Sequence, residues 1–250
     1  MSPSATRVGL CSGSAPGLSA DALATLTRSL GGSTVDVRVG KGHAWETTGG
    51  LAALRAAGCA VAFVGVGTVL GDPAHPAGVH DGPSRPEPGL PVKVFAAEGC
   101  TAPERIDLTL AQVRALADLV GGPHLVLAET HHGYAPVEEL AALCTRAGTG
   151  IVLDTLGLAR ITDDPVRAVG RLARWISYAQ VKGFDPDDPH TSPHLPLGSS
   201  CADLTHRLLT TAGPLKAVTV ESKAGSLAED TALLLQWYAS TPRSAEEAPA

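Results

Sequence analysis

Short apolar runs alternate with longer amphipathic segments along the chain. Eight of the runs are rich in β-branched residues and flanked by Gly or Pro, which favours strands over buried helices. They begin at Arg7, Thr34, Ala60, Pro91, His124, Gly150, Ile176 and Leu215. Between them apolar residues recur at helical spacing, and Thr109 followed by Gln112 has the capping-box pattern of a helix start. Strand and helix alternating eight times predict a parallel α/β sheet closed into a (β/α)8 TIM barrel.

Two segments depart from this alternation. Residues 71–91 stand where a third helix belongs, yet they are rich in Gly and Pro and have no helical period. We therefore predict that the third βα unit is abridged or replaced by a loop. Residues 183–200 follow the seventh strand and are too many for an ordinary βα connection. They are a candidate lid, in which His190 and His194 could close over a ligand.

The length of 250 residues fits one (β/α)8 barrel as well as two small domains. We predict a single barrel domain over residues 1–240, followed by a disordered tail over residues 241–250. The hydrophobic fraction of 44% can build a core, but aromatic residues make up only 4%, so packing must rest on aliphatic side chains.

The formal net charge of −6 gives no basic surface for a polyanion. We therefore expect neither nucleic acid nor a membrane as a partner. The chain does not begin with a basic segment before an apolar one, and no apolar run approaches the roughly 18 residues that a membrane helix needs. These features predict a cytoplasmic protein.

The cysteines are odd in number, far apart and without C-x-x-C spacing, which indicates neither a disulfide framework nor a cysteine zinc site. We expect most of them to be small buried hydrophobic residues. Trp175, Trp237 and Tyr238 are predicted on helices, where they could pack against the core or against another subunit, so a homo-oligomer stays open.

Polar residues lie at or near the ends of four consecutive predicted strands. These residues are Glu129, Asp154, Gln180 and Glu221, spaced by about 25 to 40 residues, or about one βα unit each. In a TIM barrel the carboxyl ends of the strands meet at one mouth, so the four side chains should converge. Three carboxylates at one point repel one another unless a cation lies between them, and a divalent metal ion would remove this conflict.

The layout resembles the xylose isomerase-like TIM barrels, a superfamily of sugar isomerases and epimerases, inosose and dehydroshikimate dehydratases and endonuclease IV. The resemblance rests on "ETHHGY", "LDT", "YAQVKGF", "LPLG" and "VES" and is best over residues 91–238. It implies one divalent metal ion bound at the ends of strands five to eight by Glu129, Asp154, Gln180 and Glu221.

The chain also departs from this family. Epimerases of the family usually have a His where this chain has Gln180, whereas dehydroshikimate dehydratases use Gln. A family His is also expected where this chain has Gly157, and the third- and fourth-strand His residues of endonuclease IV are absent, which argues against DNA repair. An all-oxygen ligand set suits hard cations, so Mn²⁺ is the predicted metal, with Mg²⁺, Co²⁺ or Zn²⁺ as alternatives.

Such a site predicts proton-transfer chemistry. A metal ion chelated by the oxygens of a polyhydroxy ketone stabilises an enediolate, and Glu129 and Glu221 could act as base and acid. The prediction is a metal-dependent isomerase or epimerase of a small sugar-like or cyclitol substrate. A dehydratase, favoured by Gln180, and a catalytically silent metabolite- or partner-binding barrel, favoured by Gly157 and the short third unit, are the alternatives.

Five further residues are predicted near the mouth of the barrel as substrate-binding candidates. They are Arg38, His43, His131, His132 and Lys182. His43 could instead belong to a solvated turn. Lys182 lies two residues after Gln180, on the same face of a regular strand, and could bind a substrate oxygen or form a salt bridge with a neighbouring carboxylate.

Overall fold

Eight parallel strands form a closed barrel in a computed structural model that describes residues 5–75, 86–199 and 201–239. Each strand pairs with its neighbour in sequence, and the first strand pairs with the eighth. All eight predicted strands and the predicted (β/α)8 barrel are confirmed. The strands are β1 (Arg7–Cys11), β2 (Thr34–Arg38), β3 (Ala60–Leu70), β4 (Val92–Ala96), β5 (Val126–Glu129), β6 (Gly150–Asp154), β7 (Ile176–Val181) and β8 (Ala217–Val220).

Helices follow the strands and turn their apolar stripes toward the sheet. They are α1 (Ala20–Ser29), α2 (Gly50–Ala56), α3 (Ile106–Val120), α4 (Val137–Ala147), α5 (Thr155–Ala159), α6 (Pro165–Leu172), α7 (Ala202–Ala212) and α8 (Leu227–Ala239). Within the described ranges, none of them is long and apolar enough to cross a membrane. The predicted tail over residues 241–250 lies outside the described residues, and the single-domain assignment stays a prediction.

No helix is described between β3 and β4, where an abridged third βα unit is predicted. Residues 71–75 and 86–91 contain no helix, and residues 76–85 lie outside the described part of the chain. The predicted helix start at Thr109 is wrong, because α3 already begins at Ile106. The buried amide of Gln112 instead accepts a hydrogen bond from Gly71 N at 2.6 Å and donates one to the carbonyl of His75 at 2.7 Å. Gln112 thus ties α3 to the loop that follows β3.

The barrel interior is divided into an apolar layer and a charged layer. Side chains two residues apart on a strand share a face, so Leu127 lies on the same inner face as Glu129, and Val152 on the same face as Asp154. Leu127 and Val152 belong to a separate buried cluster inside the barrel, composed of Ala62, Phe63, Leu127, Val152, Tyr178 and Ala217. Glu129 and Asp154 follow them on the same strands and lie closer to the carboxyl ends. This alternation places the candidate site above an apolar floor.

Candidate active site

The four residues predicted to meet at the mouth of the barrel are all buried. Glu129 and Asp154 end β5 and β6, Gln180 pairs in register with Asp154, and Glu221 directly follows β8. Asp154 and Glu221 share one cationic partner, and Glu129 lies in contact with Asp154. The three carboxylates are therefore together, as the alternation of the strands requires.

Lys93 pairs with the first of these carboxylates. Its Nζ lies 2.5 Å from Oε2 of Glu129, and the side chains are only 4% and 1% exposed. Lys93 lies on β4 within an otherwise apolar run, and the sequence analysis did not place it at the site. Glu129 therefore has its own counter-ion within the barrel.

Lys182 bridges the other two carboxylates. Its Nζ lies 2.5 Å from Oδ2 of Asp154 and 3.1 Å from Oε2 of Glu221. Arg38, at the end of β2, also forms an ion pair with Oε2 of Glu221. Of the two alternatives considered for Lys182, the structure contains the salt bridge.

Gln180 turns away from the carboxylate group. Its Nε2 donates to Oδ1 of Asp36 at 3.0 Å and to Sγ of Cys11 at 3.4 Å. The other carboxylate oxygen of Asp36 accepts a hydrogen bond from Thr219 Oγ1 at 2.5 Å. Gln180 thus contacts a neighbouring polar cluster through its amide nitrogen, whereas its amide oxygen is buried and has no hydrogen-bond partner among the described residues.

Burial and the neighbouring charges separate the pKa values of the carboxyl groups. Burial tends to raise the pKa of Asp154, but the Lys182 ammonium and the hydrogen bonds to this carboxylate hold that pKa below its usual range. The pKa of Glu221 is also lowered, because the positive charges of Lys182 and Arg38 outweigh the effect of burial. Burial, reinforced by the charge of Asp154, raises the pKa of Glu129 despite Lys93. The carboxylates of Asp154 and Glu221 are therefore favoured in the ionised form.

This arrangement does not fit a divalent cation. A metal ion needs carboxylate oxygens that point at a common centre, but here Lys93 and Lys182 contact these oxygens. In the described parts of the chain, no group of three or more His, Cys, Asp or Glu side chains is placed to hold a metal ion. The ligand set predicted from the resemblance disagrees with this geometry. Mn²⁺ binding, which the resemblance implies, requires a direct titration.

A polar pocket of about 200 Å³ opens directly above the ion pairs. Arg38, Asp154, Lys182 and Glu221 contribute to its lining from the ends of the strands. The remaining lining comes from the loops and from α5, through His131, His132, Leu156, Gly157, Arg160, His194 and Lys223. Four of the five predicted substrate-binding residues therefore lie at one pocket, and Glu129 and Gln180 lie outside its lining.

His43 is the predicted substrate-binding residue that the pocket lining does not include. Its Nδ1 lies 3.3 Å from Ser12 Oγ, and its backbone N–H donates to Glu46 at 3.0 Å. The same carboxylate accepts the backbone N–H groups of Gly40 and Lys41, which closes a turn after β2. The turn interpretation considered for His43 matches these contacts.

Gly157 fits its place because a side chain has no room there. A Cβ on this residue would lie 2.1 Å from the carbonyl oxygen of Thr130 and 3.1 Å from Cα of His131. The backbone N–H of Gly157 donates to Oδ1 of Asp154 at 2.8 Å, so that Asp154 caps α5. The histidine that the family resemblance implies at this position would collide with the end of β5.

The predicted lid segment supplies one residue to the pocket. His194 is half-buried there, and its Nδ1 has no hydrogen-bond partner within the described residues. Arg160, which also lines the pocket, holds this segment, since its guanidinium donates to the carbonyls of Pro189 at 2.7 Å and Ser192 at 3.1 Å. His190 is exposed and does not line the pocket.

Four site residues were missed in the sequence: Lys93, Asp36, Arg160 and Lys223. The first two are charged residues inside apolar strands, and a strand buried on both faces normally excludes unpaired charge. That contradiction was a usable signal for a charged interior. Arg160 and Lys223 lie beyond the strand ends, where charged residues are ordinary, and only the folded chain brings them together.

Comparisons with known proteins identify the fold. No protein-family model and no curated protein sequence matches the chain. Among solved structures, the probable 3-DHS dehydratase AsbF from Bacillus anthracis is 14% identical, with 92% of this chain and 98% of that chain covered and a TM-score of 0.62. A D-allulose 3-epimerase from Methylomonas sp. is 12% identical, with coverages of 94% and 99% and a TM-score of 0.66. A xylose isomerase domain containing protein from Salmonella typhimurium LT2 is 16% identical, with coverages of 94% and 96% and a TM-score of 0.62.

The chain has the xylose isomerase-like TIM-barrel fold. The resemblance seen in the sequence is therefore confirmed at the level of the fold. Identities this low establish shared architecture, and function has to be argued from the site. Within this fold, the pocket lies at the carboxyl ends of the strands, where TIM-barrel enzymes place their chemistry.

Proposed function

We propose that this protein is an enzyme that moves a proton on a carbon next to a carbonyl group in a small polyoxygenated substrate. The reaction class is isomerisation or epimerisation of a sugar or cyclitol ketone. One observation carries the proposal: Glu221, ionised and almost fully buried, opens onto the pocket beside two cationic groups, Lys182 and Arg38. A base beside fixed positive charge is the arrangement that enolate chemistry requires.

The pocket limits the size and polarity of the substrate. Its volume of about 200 Å³ suits a molecule of a few carbon atoms, and its lining is rich in charged and imidazole groups. Among the described residues of this lining, Leu156 alone contributes a large apolar side chain. A ligand with many oxygens could satisfy these groups, whereas an apolar ligand would leave them unpaired.

Each step falls to a residue of the pocket. The Glu221 carboxylate takes the proton from the carbon atom, and Lys182 and Arg38 stabilise the negative charge that develops on the adjacent oxygen. Burial lowers the pKa values of His132 and His194, which keeps these imidazoles neutral near pH 7, where each can accept or pass on a proton. Return of the proton to the opposite face gives an epimer, and its return to the neighbouring carbon gives an isomer.

The role that we propose for Glu129 differs from the predicted one of acid or base. It lies outside the pocket lining, and its carboxyl group is engaged in the buried ion pair with Lys93. Through its interaction with Asp154, Glu129 can help to hold that carboxylate in place. We therefore assign the base to Glu221 and a positioning role to Glu129.

A dehydratase and a silent binding barrel are the two alternative functions. Similar folds in a D-allulose 3-epimerase and in a probable 3-DHS dehydratase support both proton transfer and elimination of water, and the same base could begin either reaction. A silent binding barrel is favoured by one observation, because Glu129, Asp154 and Glu221 each already have a cationic partner.

Solvent isotope exchange tests the proposal and separates it from both alternatives. The protein is incubated in D₂O with a panel of ketoses and cyclitol ketones, and deuterium in the recovered substrate is measured by NMR. The proposal predicts exchange that Glu221→Gln reduces by about 10²-fold or more. Glu87→Gln, at an exposed ion pair with Arg55, is the matched control and should leave the rate unchanged.

The other outcomes are equally distinct. An unsaturated product that absorbs ultraviolet light would assign the site to a dehydratase. Binding of panel members with no exchange and no product would assign the chain to the silent class.

A further inference from the structure

The charged layer of the barrel is neutralised from within the chain. Three carboxylates meet there, on Glu129, Asp154 and Glu221, and three cationic side chains contact them. Lys93 serves Glu129, whereas Lys182 contacts both Asp154 and Glu221. The mutual repulsion of these carboxylates, which a divalent metal ion could also relieve, is therefore already removed.

The ammonium of Lys182 is held firmly in this position. It lies 2.5 Å from Oδ2 of Asp154 and 3.1 Å from Oε2 of Glu221, and the Lys182 side chain is only 9% exposed. The backbone N–H of Lys182 also donates to Thr155 Oγ1 at 3.1 Å. Swinging the side chain away would leave two carboxylates buried without this partner, which is costly in a low-dielectric interior. A divalent cation entering between Asp154 and Glu221 would meet the ammonium at close range and be repelled by it.

The remaining approach, between Glu129 and Asp154, is closed as well. Lys93 is bound to Oε2 of Glu129, and both side chains are buried. The carboxyl groups of Glu129 and Asp154 also contact each other directly. Cations of the chain thus adjoin every carboxylate that the sequence assigned to a metal.

We infer that the Lys182 ammonium takes the place of the divalent cation in this barrel. It holds Asp154 and Glu221 together, and from the pocket wall it stabilises the negative charge that builds up on a substrate oxygen. This second task rests on the proposed function, whereas the first rests on the ion pairs alone. The protein then carries out its chemistry without a metal ion, with Lys93 and Arg38 completing the charge balance.

Titration with Mn²⁺ tests the inference without any substrate. Free Mn²⁺ gives an electron paramagnetic resonance signal that is lost on binding, so the full-length protein is titrated into MnCl₂ while this signal is recorded. The wild-type protein should leave the signal unchanged. Lys182→Met removes the ammonium but keeps a long side chain. This variant should bind Mn²⁺ at least about tenfold more tightly than the wild-type protein does, because Asp154 and Glu221 then need a cation.

Lys223→Met is the matched control, since Lys223 also lines the pocket but is exposed. This variant should leave the Mn²⁺ signal as in the wild-type protein. Circular dichroism and urea unfolding check that each variant is folded. If Lys182→Met does not fold, the titration of the wild-type protein decides the matter alone.

Two results would overturn the inference. One is stoichiometric binding of Mn²⁺ by the wild-type protein. The other is a folded Lys182→Met variant with no gain in affinity, which would mean that Lys182 does not hold the cation's place. Failure of the proposed function is separable from both, because a protein that binds no Mn²⁺ and exchanges no proton would still support the assignment of Lys182.

Discussion

The ammonium of Lys93 lies 2.5 Å from Oε2 of Glu129, and neither side chain is more than 4% exposed. Removing one partner of such a pair leaves a buried charge, at a typical cost of about 3–5 kcal/mol. For Lys93→Met we expect a loss of about 3 kcal/mol in the free energy of unfolding, because Glu129 can take up a proton and escape part of the cost. Urea denaturation at pH 7 measures this loss.

The pair offers its own control experiments. The double variant Lys93→Met with Glu129→Gln removes both charges and should recover much of the lost stability. Arg55→Ala breaks an exposed ion pair with Glu87 and should cost no more than about 1 kcal/mol. Equal losses for Lys93→Met and Arg55→Ala would contradict the burial argument.

A second prediction concerns the close approach at Gly157. In Gly157→Ala the added Cβ would lie 2.1 Å from the backbone oxygen of Thr130, so β5 and α5 must move apart. We expect a loss of about 1–3 kcal/mol, measured by thermal and urea unfolding. Gly170 is exposed on α6, and a Cβ there would meet its first neighbour at 3.9 Å.

Gly170→Ala is therefore the matched control for the helical glycine. It should be neutral or stabilise the protein by up to about 1 kcal/mol, since Ala is the better helix former. If Gly157→Ala were as stable as Gly170→Ala, the absence of a histidine at position 157 would need a different explanation.

The sequence predicted the fold because the eight strands have clear boundaries and the barrel rule then places their carboxyl ends together. It also predicted that Glu129, Asp154 and Glu221 meet. It offered a salt bridge between Lys182 and a neighbouring carboxylate as one of two alternatives, but it did not predict the partner of Glu129. Lys93 interrupts an apolar strand, which indicates a buried partner, but the identity of that partner as Glu129 depends on the pairing of β4 with β5. Gln180 was assigned to the same centre by its position alone, whereas its side-chain direction depends on Asp36 across the barrel.

Acid stability should report on the contacts of Asp154. The Lys182 ammonium and the Gly157 N–H outweigh burial and hold the pKa of Asp154 below its ordinary value of 3.8. A carboxyl group of this kind stabilises the fold above its unfolded pKa, and the contribution disappears as the pH falls through the lower folded pKa. The free energy of unfolding should therefore decrease as the pH drops below about 4.

Asp154→Asn should make this decrease less steep, because the variant has no carboxyl group to protonate at that position. Urea unfolding at a series of acidic pH values measures the slope. Asp118→Asn, on the exposed face of α3, makes the same chemical change and should keep the wild-type slope. Parallel losses of stability in Asp154→Asn and the wild-type protein would contradict the role assigned to the Asp154 carboxylate.

The cysteines should be unreactive in the folded protein. All five are free and buried. Burial, helped by the nearby Glu139 carboxylate, raises the pKa of the Cys100 thiol to about 12, and burial raises that of Cys144 to about 11. Because the thiolate is the reactive form, iodoacetamide at pH 8 should add no mass to the native protein and five adducts after denaturation.

Native labelling of Cys11 would be the most damaging result for this account. Cys11 lies beside Gln180 and Asp36 inside the barrel. Its thiol pKa is raised mainly by burial and additionally by the charge of Asp36. Rapid alkylation would mean that solvent reaches the polar cluster, and the direction assigned to Gln180 would then be in doubt.

A high-resolution crystal structure grown with Mn²⁺ tests the central claim most directly, since X-ray data near the manganese absorption edge locate this metal by its anomalous signal. The account predicts no anomalous peak among Glu129, Asp154 and Glu221, with Nζ of Lys182 within hydrogen-bond distance of both Asp154 and Glu221. A manganese peak coordinated by these three carboxylates, with Lys182 turned out into the pocket, would contradict it.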